Sequence, residues 1–342
     1  MTENVRARLS DIAEQAGVSE ATVSRVLNDR PGVSSSTRQA VLTALDVLGY
    51  ERPLRLRSRS GLVGLVVPEL DNPIFPAFAQ VMDTLLAQHG YTPLLCTQTP
   101  GGVSEDEYVE LLLDHGVAGI IFVSGMHADS TADHARYRAL VERGLPIVLV
   151  NGYAEGIDAP FISDDDAAAM DLAITHLVSM GHRRIGLALG PKRFVPVVRK
   201  RAAFIESLTR QTGISPEEAD ALVAHSLFDL EGGQAAAHTL LGRDVTAIVC
   251  GSDLMALGAI RTIRQRGLRV PEDVSVVGYD DSRLIPFTDP PLTTVRQAVQ
   301  AMATAAVQAL LDGISRSPAP RSEYVFRPEL IVRGSTGPAR VV

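Results

Sequence analysis

Two adjacent carboxylates follow a short apolar run late in the sequence. Asp280 and Asp281 close the segment SVVGYDD, whose earlier residues are typical of a buried strand. A carboxylate at a strand end can hold the vicinal hydroxyls of a small polar molecule, or it can cap the next loop. No GxSxG, HExxH, Walker or GxGxxG pattern accompanies the pair. We therefore expect a binding protein with no catalytic residues, no metal site and no cofactor.

A second set of chemically useful residues lies on one face of a short segment near the N-terminus. The segment SEATVSRVLN (19–28) carries Val23, Val26 and Leu27 on one side of a predicted helix. Small, polar and basic side chains occupy the other side: Thr22, Ser24, Arg25 and Asn28. Such a face fits the major groove of DNA.

Three short helices are predicted to position that face. Ser10 is the expected N-cap of the first helix, and Gly17 ends it. Ser19 caps the second helix after a turn of about three residues that contains glycine, the spacing of a helix-turn-helix. A third helix is predicted from Ser34–Ser36 to Gly49. An ordinary three-helix bundle would show the same spacing, so the polar outer face favours DNA binding.

The distribution of charge supports a small DNA-binding module attached to an acidic body. The whole chain of 342 residues has a net charge of −8. Residues 1–60 hold 9 Arg and 7 acidic residues, whereas the remainder holds 23 basic and 33 acidic residues. Four arginines fall within residues 52–59, where they could neutralise phosphates or simply solvate a linker.

The composition predicts a globular cytoplasmic protein. Hydrophobic residues make up 46% and charged residues 21% of the chain, and the longest apolar run (61–67) is too short to span a membrane. The first ten residues lack the apolar core of a secretory signal. Cys96 and Cys250 each have apolar neighbours, and we expect them to be buried thiols.

From residue 61 onward, short apolar runs alternate with amphipathic segments of 10–15 residues. This alternation predicts an α/β core of parallel doubly wound sheets in two lobes. Ligands of such sheets bind at the carboxyl ends of the strands, so a cleft between the lobes is the expected binding site.

Residues 9–50, LSDIAEQAGVSEATVSRVLNDRPGVSSSTRQAVLTALDVLGY, resemble the DNA-binding headpiece of the lactose-repressor family of bacterial transcription regulators. PELDNPIF, THLVSMGHRRIGLALGP, SDLMALGAI, GLRVPEDVSVVGYDD and DPPLTTVRQ resemble the core of the same family, and several strings look closest to actinobacterial maltose-operon repressors. The resemblance implies a periplasmic-binding-protein-like core. The implied domains are a headpiece (1–50), a hinge or linker (51–60), a first lobe (61–162 plus 292–325) and a second lobe (163–291 plus 326–342).

The resemblance also implies which residues contact DNA. In the headpiece they are Ser10, Ser19, Glu20, Ala21, Thr22, Ser24, Arg25 and Asn28. Glu20 could accept from a cytosine amino group or cap the helix locally. In the family a hinge leucine wedges into the minor groove, and the linker here is about four residues shorter than usual. The hinge candidates are Arg52, Leu54, Arg55 and Leu56.

A third implication concerns the small-molecule effector. The predicted contacts are Asn72, Ile74, Phe75, Ser124, Asp165, Lys192, Arg199, Lys200, Arg201, Phe228, Ser252 and Asp280. Phe75 could stack on a sugar or pack in the core. Asp165 could contact the effector or instead stabilise the N-terminus of the following helix through the helix dipole. Lys200 falls where the family offers an arginine, and Asp253 is expected to cap the following helix.

The resulting prediction is a homodimeric, sequence-specific repressor of carbohydrate genes of the maltose or maltodextrin type. A small sugar inducer would release it from a pseudo-palindromic operator. The alternatives are a regulator that responds to a purine or another corepressor, and a sugar-binding protein with no regulatory role. Candidate dimer elements are the helices at 75–90 and 104–116 and the segment 291–311.

Overall fold

The computed structural model describes residues 9–27, 32–48, 61–98, 102–317 and 320–340. The chain divides into two units, one up to Ser58 and the other from Arg59 onward. None of the helices described is long and apolar enough to cross a lipid bilayer.

The first unit contains three helices around a small apolar core. They are α1 (Leu9–Ala16), α2 (Glu20–Leu27) and α3 (Ser35–Val47). Gly17 adopts φ +64° after α1, which confirms the predicted helix end. Ser10 lies inside α1 and does not cap it, contrary to the prediction. The hydroxyls of Ser19 and Ser34 accept from Thr22 N and Thr37 N and cap the next two helices.

The second unit has two lobes, each with a sheet of six described strands. The strands are β1 (Gly61–Val67), β2 (Tyr91–Thr97), β3 (Gly119–Val123), β4 (Ile147–Val150), β5 (Phe161–Asp164), β6 (Ile185–Leu189), β7 (Val223–His225), β8 (Ala247–Cys250), β9 (Ser275–Asp280), β10 (Thr293–Arg296), β11 (Glu323–Phe326) and β12 (Glu329–Ile331). The first sheet has the order β11-β5-β4-β3-β1-β2 and the second the order β12-β10-β9-β8-β6-β7. All pairs are parallel except β10 with β12, as the alternation of strands and helices predicts.

Helices cover both faces of each sheet. They are α4 (Ile74–Gln88), α5 (Glu105–Asp114), α6 (Ala135–Glu142), α7 (Asp166–Ser179), α8 (Val195–Thr212), α9 (Pro216–Asp220), α10 (Leu230–Leu241), α11 (Asp253–Gln265) and α12 (Val299–Ile314). Separate apolar clusters fill the two faces of the first sheet, and one large cluster fills the second lobe. Both cysteines are buried and unpaired.

The chain passes between the lobes three times. It leaves the first sheet after Asp164, returns after Arg296 and leaves again after Phe326. The sequence places these crossings near residues 162, 291 and 325. The second crossing lies later because Thr293–Arg296 pairs in parallel with β9 and is a strand of the second lobe.

Candidate effector cleft and DNA-binding helix

A cleft of about 240 Å³ lies between the two lobes, at the carboxyl ends of their strands. Nine of the predicted effector residues line it: Asn72, Ile74, Phe75, Ser124, Arg199, Lys200, Phe228, Ser252 and Asp280. Residues that the sequence did not single out complete the lining, and those with polar or aromatic side chains are Glu69, Asn151, Ser163, Asp164, Asp166, Phe194, Tyr279 and Gln297.

Aromatic side chains from both lobes form the apolar part of the wall. The Phe194 and Phe228 rings lie 6.5 Å apart between centroids. The absence of a side chain at Gly190 makes room for Phe228, because a Cβ there would lie 2.1 Å from the ring. Phe75 lines the cleft and also packs against the first-lobe core, so both of its predicted roles are compatible with its position.

Two cations line the cleft, and each is paired with a carboxylate. Lys200 Nζ donates to Asp166 Oδ1 and lies 4.1 Å from the centroid of the Tyr279 ring. Arg199 donates two hydrogen bonds to Glu323, of 2.6 and 3.1 Å, across the lobes. Both positive charges of the cleft lining are therefore already neutralised by carboxylates of the protein.

Besides Asp166, two buried carboxyls lie on the floor of the cleft. Asp164 Oδ2 accepts from the Tyr279 hydroxyl, and burial raises the pKa of Asp164 to about 6. Asp280 Oδ1 accepts from Gln297 Nε2 at 2.7 Å. Burial, followed by the nearby Asp253 carboxylate, raises the pKa of Asp280 well above its usual range. The floor is therefore a polar cluster that spans both lobes.

The Ser252–Asp253 pair differs from its prediction. Ser252 caps α11, since its hydroxyl accepts from Met255 N at 3.2 Å. Asp253 does not cap the helix; its carboxylate accepts from Ser282 N and from the Thr294 hydroxyl. Asp253 thereby ties α11 to β10 and to the loop after Asp280.

Asp165, Lys192 and Arg201 are predicted effector contacts that lie outside the cleft lining. Asp165 caps α7 by accepting from Ala168 N at 2.9 Å. Lys192 is exposed on the loop before α8, and Arg201 pairs with Asp220 at 2.6 Å on the outer side of that helix. A helix presents successive residues in different directions, so only Lys200 and Arg199 of the three basic residues reach the cleft.

A second set of contacts joins the lobes beside the cleft. Arg193 Nε donates to Asp129 Oδ2 at 2.7 Å, and Ser130 donates to the Arg193 carbonyl from both its backbone N and its hydroxyl. An antiparallel bridge joins Asp129 and Phe194. We call Asp129, Ser130, Arg193 and Phe194 the inter-lobe clasp.

The cleft residues that sequence reasoning missed share one position. Asp164 ends β5, Tyr279 precedes the predicted Asp280 in β9, and Gln297 directly follows β10. The rule that parallel sheets bind ligands at strand carboxyl ends could have found all three. It failed at Gln297 because β10 was not assigned to the second sheet.

In the headpiece, five of the residues predicted to contact DNA lie on α2, whereas Ser10 lies in α1 and Ser19 directly precedes α2. Glu20, Ala21 and Arg25 are exposed, whereas Thr22 and Ser24 are half-buried. Val23 and Val26 face the core, as the apolar spacing predicts. Asn28, Arg52, Leu54, Arg55 and Leu56 lie outside the described residues.

Known protein families match segments of both the headpiece and the two-lobed unit. Residues 8–52 match the family "Bacterial regulatory proteins, lacI family", and residues 174–336 match a periplasmic binding protein-like domain. The HTH-type transcriptional regulator MalR of Streptomyces coelicolor is 67% identical over 334 residues, 97% of each chain. The chain belongs to the lacI family. It is a DNA-binding transcriptional regulator with the predicted α/β fold.

Other relatives of this lacI-family regulator are more distant. The HTH-type transcriptional repressor CytR of Escherichia coli K12 is 30% identical, covering 98% of this chain and 97% of CytR. The solved complex of the transcriptional regulator CelR with cellobiose has 33% identity and a TM-score of 0.71, over 96% of this chain and 100% of that one. A lac repressor dimer bound to operator and an anti-inducer has 28% identity and a TM-score of 0.69, over 97% and 99%.

Proposed function

We propose that this regulator represses carbohydrate genes of the maltose or maltodextrin type and is released from a pseudo-palindromic operator by a small sugar. The observation that carries the proposal is the cleft, which combines an aromatic wall with a buried polar floor. Aromatic faces pack on the apolar side of a sugar ring, while carboxyl and amide groups bind its hydroxyls. The cleft volume of about 240 Å³ lies near the lower end of ordinary small-molecule sites.

The relatives support the same proposal. The chain is 67% identical to MalR, and it is similar over 96% of its length to CelR, whose structure contains cellobiose. Both similarities favour a sugar effector for this regulator. A purine or another corepressor is the alternative within the same class, and it would tighten DNA binding where an inducer weakens it.

A role without catalysis fits the chemistry of the acidic pair. Asp281 is held by Arg296 at 2.7 Å and by Arg333 at 2.7 Å, so its carboxylate is committed to the fold. Asp280 is buried against Gln297. We therefore propose that neither carboxylate takes part in a reaction. We also propose that the protein, as a DNA-binding regulator, acts in the cytoplasm.

We also propose that the regulator is a homodimer in which two headpieces read the two operator half-sites. The similar lac repressor is a dimer in its complex with operator. Leu284 and Phe287 of the second lobe are 73% and 85% exposed, unusual values for such large apolar side chains. Burial against a second copy would remove this surface from water.

The experiment is a titration of operator DNA by fluorescence anisotropy at fixed salt, with a pseudo-palindromic duplex that the full-length protein selects from a random-sequence library. Maltose, maltotriose, cellobiose and a purine base are added to the full-length protein. An Arg25→Ala variant controls for headpiece binding.

Release by maltose or maltotriose, with no binding by Arg25→Ala, is the expected result. If the purine tightens binding to the operator duplex, the effector is a corepressor and not an inducer. If none of the four ligands changes the anisotropy, the proposed effector class is wrong. DNA binding by the wild-type protein in the same experiment would still agree with its role as a transcriptional regulator.

A further inference from the structure

Two acceptor oxygens buried in the cleft have no hydrogen-bond partner among the residues that the structure describes. Asp164 is 6% exposed and Gln297 is 8% exposed. Asp164 uses Oδ2 for the Tyr279 hydroxyl, and Gln297 uses its amide nitrogen for Asp280, so Asp164 Oδ1 and Gln297 Oε1 are left unpaired. A buried acceptor without a donor is unfavourable, and both residues line the cleft. A ligand that supplies hydrogen-bond donors would remove this cost.

The charges around these acceptors disfavour an anionic ligand. Glu69, Asp164 and Asp280 line the cleft, and none of the three forms an ion pair within the part of the chain that the structure describes. The two cations of the lining, Arg199 and Lys200, are paired with Glu323 and Asp166. A phosphate group in this cleft would meet carboxyl oxygens and would have to break an existing ion pair to gain a cation.

The exposed cations close to the cleft do not change this balance. Arg193 lies beside Phe194, but its guanidinium is bound to Asp129 in the inter-lobe clasp. Lys192 is exposed on the same loop and is absent from the lining. A phosphate-binding role for these two residues therefore finds no support in the cleft.

We infer that the cleft selects a neutral, hydroxyl-rich sugar and rejects its phosphorylated form, with Asp164 and Gln297 as the acceptors that recognise its hydroxyls. This inference rests on the proposed sugar effector and adds the chemical class that the site discriminates. The hydroxyls of the sugar donate to Asp164 Oδ1 and Gln297 Oε1 in the water-poor floor.

The test compares neutral and phosphorylated sugars by isothermal titration calorimetry on the full-length protein at one salt concentration. Maltose and maltotriose are the neutral probes, and maltose 6′-phosphate, glucose 6-phosphate and inorganic phosphate are the anionic ones. We expect maltose 6′-phosphate to bind at least about 100-fold more weakly than maltose, because the phosphate would lose its hydration in a floor of acceptor oxygens whose two lining cations, Arg199 and Lys200, are already paired.

Variants then assign the two acceptors. Asp164→Asn and Gln297→Met should each weaken maltose binding by roughly 10- to 100-fold. The matched controls are Asp312→Asn and Gln308→Met, since Gln308 Nε2 donates to Asp312 Oδ1 at 2.7 Å on α12, outside the cleft. Thermal unfolding followed by circular dichroism checks that each variant folds.

The outcomes separate this inference from the proposed function. If maltose 6′-phosphate binds as tightly as maltose, the inference is wrong while the sugar effector stands. If the folded Asp164→Asn and Gln297→Met variants bind maltose like the controls, the two acceptors do not recognise the ligand. If no sugar binds the wild-type protein, the proposed sugar effector is wrong, and so is the inferred selection of neutral over phosphorylated sugars.

Discussion

Asp164 has a different environment at each of its two carboxyl oxygens. One accepts from Tyr279, and the other lies buried without a donor among the described residues. The titratable groups that face it are Tyr279, Lys200 and Asp280 from the second lobe and Asp165 and Asp166 from the adjacent turn. Burial outweighs the favourable hydrogen bond and the Lys200 charge, so the pKa of Asp164 is raised to about 6.

Sugar affinity should therefore depend on pH near 6. The ionised carboxylate accepts hydroxyl protons better than the neutral acid, so binding is strong above pH 6 and weakens as the pH falls through that value. Maltose binding measured by calorimetry from pH 5 to 8 should show this slope, and Asp164→Asn should flatten it. An unchanged profile in that variant would assign the titration to another group.

The wall of the cleft offers an independent test at Gly190. A Cβ in Gly190→Ala would lie 2.1 Å from the Phe228 ring, so the ring must move. We expect maltose affinity to fall by about tenfold as the stacking surface shifts, with retained DNA binding. Gly242→Ala is the control, because its Cβ would meet its nearest atom at 3.4 Å. Equal affinities in the two variants would show that Phe228 does not contact the sugar.

The resemblance to the family identified the cleft residues that fall on its effector-binding positions, such as Asp280 and Lys200. Sequence reasoning missed Tyr279, whose partner Asp164 is distant in sequence, and Gln297, because β10 was not assigned to the second sheet. Tyr279 reaches Asp164 across 115 positions, a contact that no local pattern encodes.

At the scale of elements, the strand–helix alternation was predicted from hydrophobic periodicity, whereas some boundaries were not. Helix α8 begins at Val195, directly after the exposed loop that carries Lys192. Pro196 stands in the first turn of α8, where the missing N–H costs nothing. Because β10 lies beyond the predicted crossing, the sequence assigned it to the wrong lobe.

The inter-lobe clasp should slow release of the sugar. Arg193→Met combined with Ser130→Ala removes its side-chain bonds and leaves the backbone bond of 2.8 Å from Ser130 N to the Arg193 carbonyl. Half-exposed ion pairs contribute little, so we expect the dissociation rate to rise by up to about fivefold. Stopped-flow measurement gives the rate, and Arg210→Met, which loses an exposed pair with Asp171, is the control. A rate equal to that of the control would mean that the clasp does not hold the lobes.

At the scale of the molecule, the exposed loop around Leu284 and Phe287 should control assembly. Phe287→Arg places a charge where a second copy would bury an aromatic ring, so the variant should sediment as a monomer. Operator affinity should fall by more than tenfold because one headpiece then acts alone. Leu227→Arg, at another exposed leucine, is the control. A dimeric Phe287→Arg variant would place the interface elsewhere.

Sugar and operator should also affect each other by the same factor. If maltose weakens operator binding tenfold, saturating operator must weaken maltose binding tenfold, because the coupling free energy is shared. Calorimetry with and without the duplex measures one arm, and anisotropy measures the other. Unequal factors would indicate a third state, such as dissociation of the dimer.

The order of the strands has a consequence for synthesis on the ribosome. Strands β11 and β12 close one edge of each sheet, and both come after residue 320. The Ser335 carbonyl and hydroxyl then bond Val276 and Thr293 in the second lobe. Neither lobe can complete its hydrogen bonding until this stretch has left the exit tunnel, whereas the headpiece emerges first. A nascent chain can thus hold a folded operator-reading module long before it holds a site for the sugar that controls it.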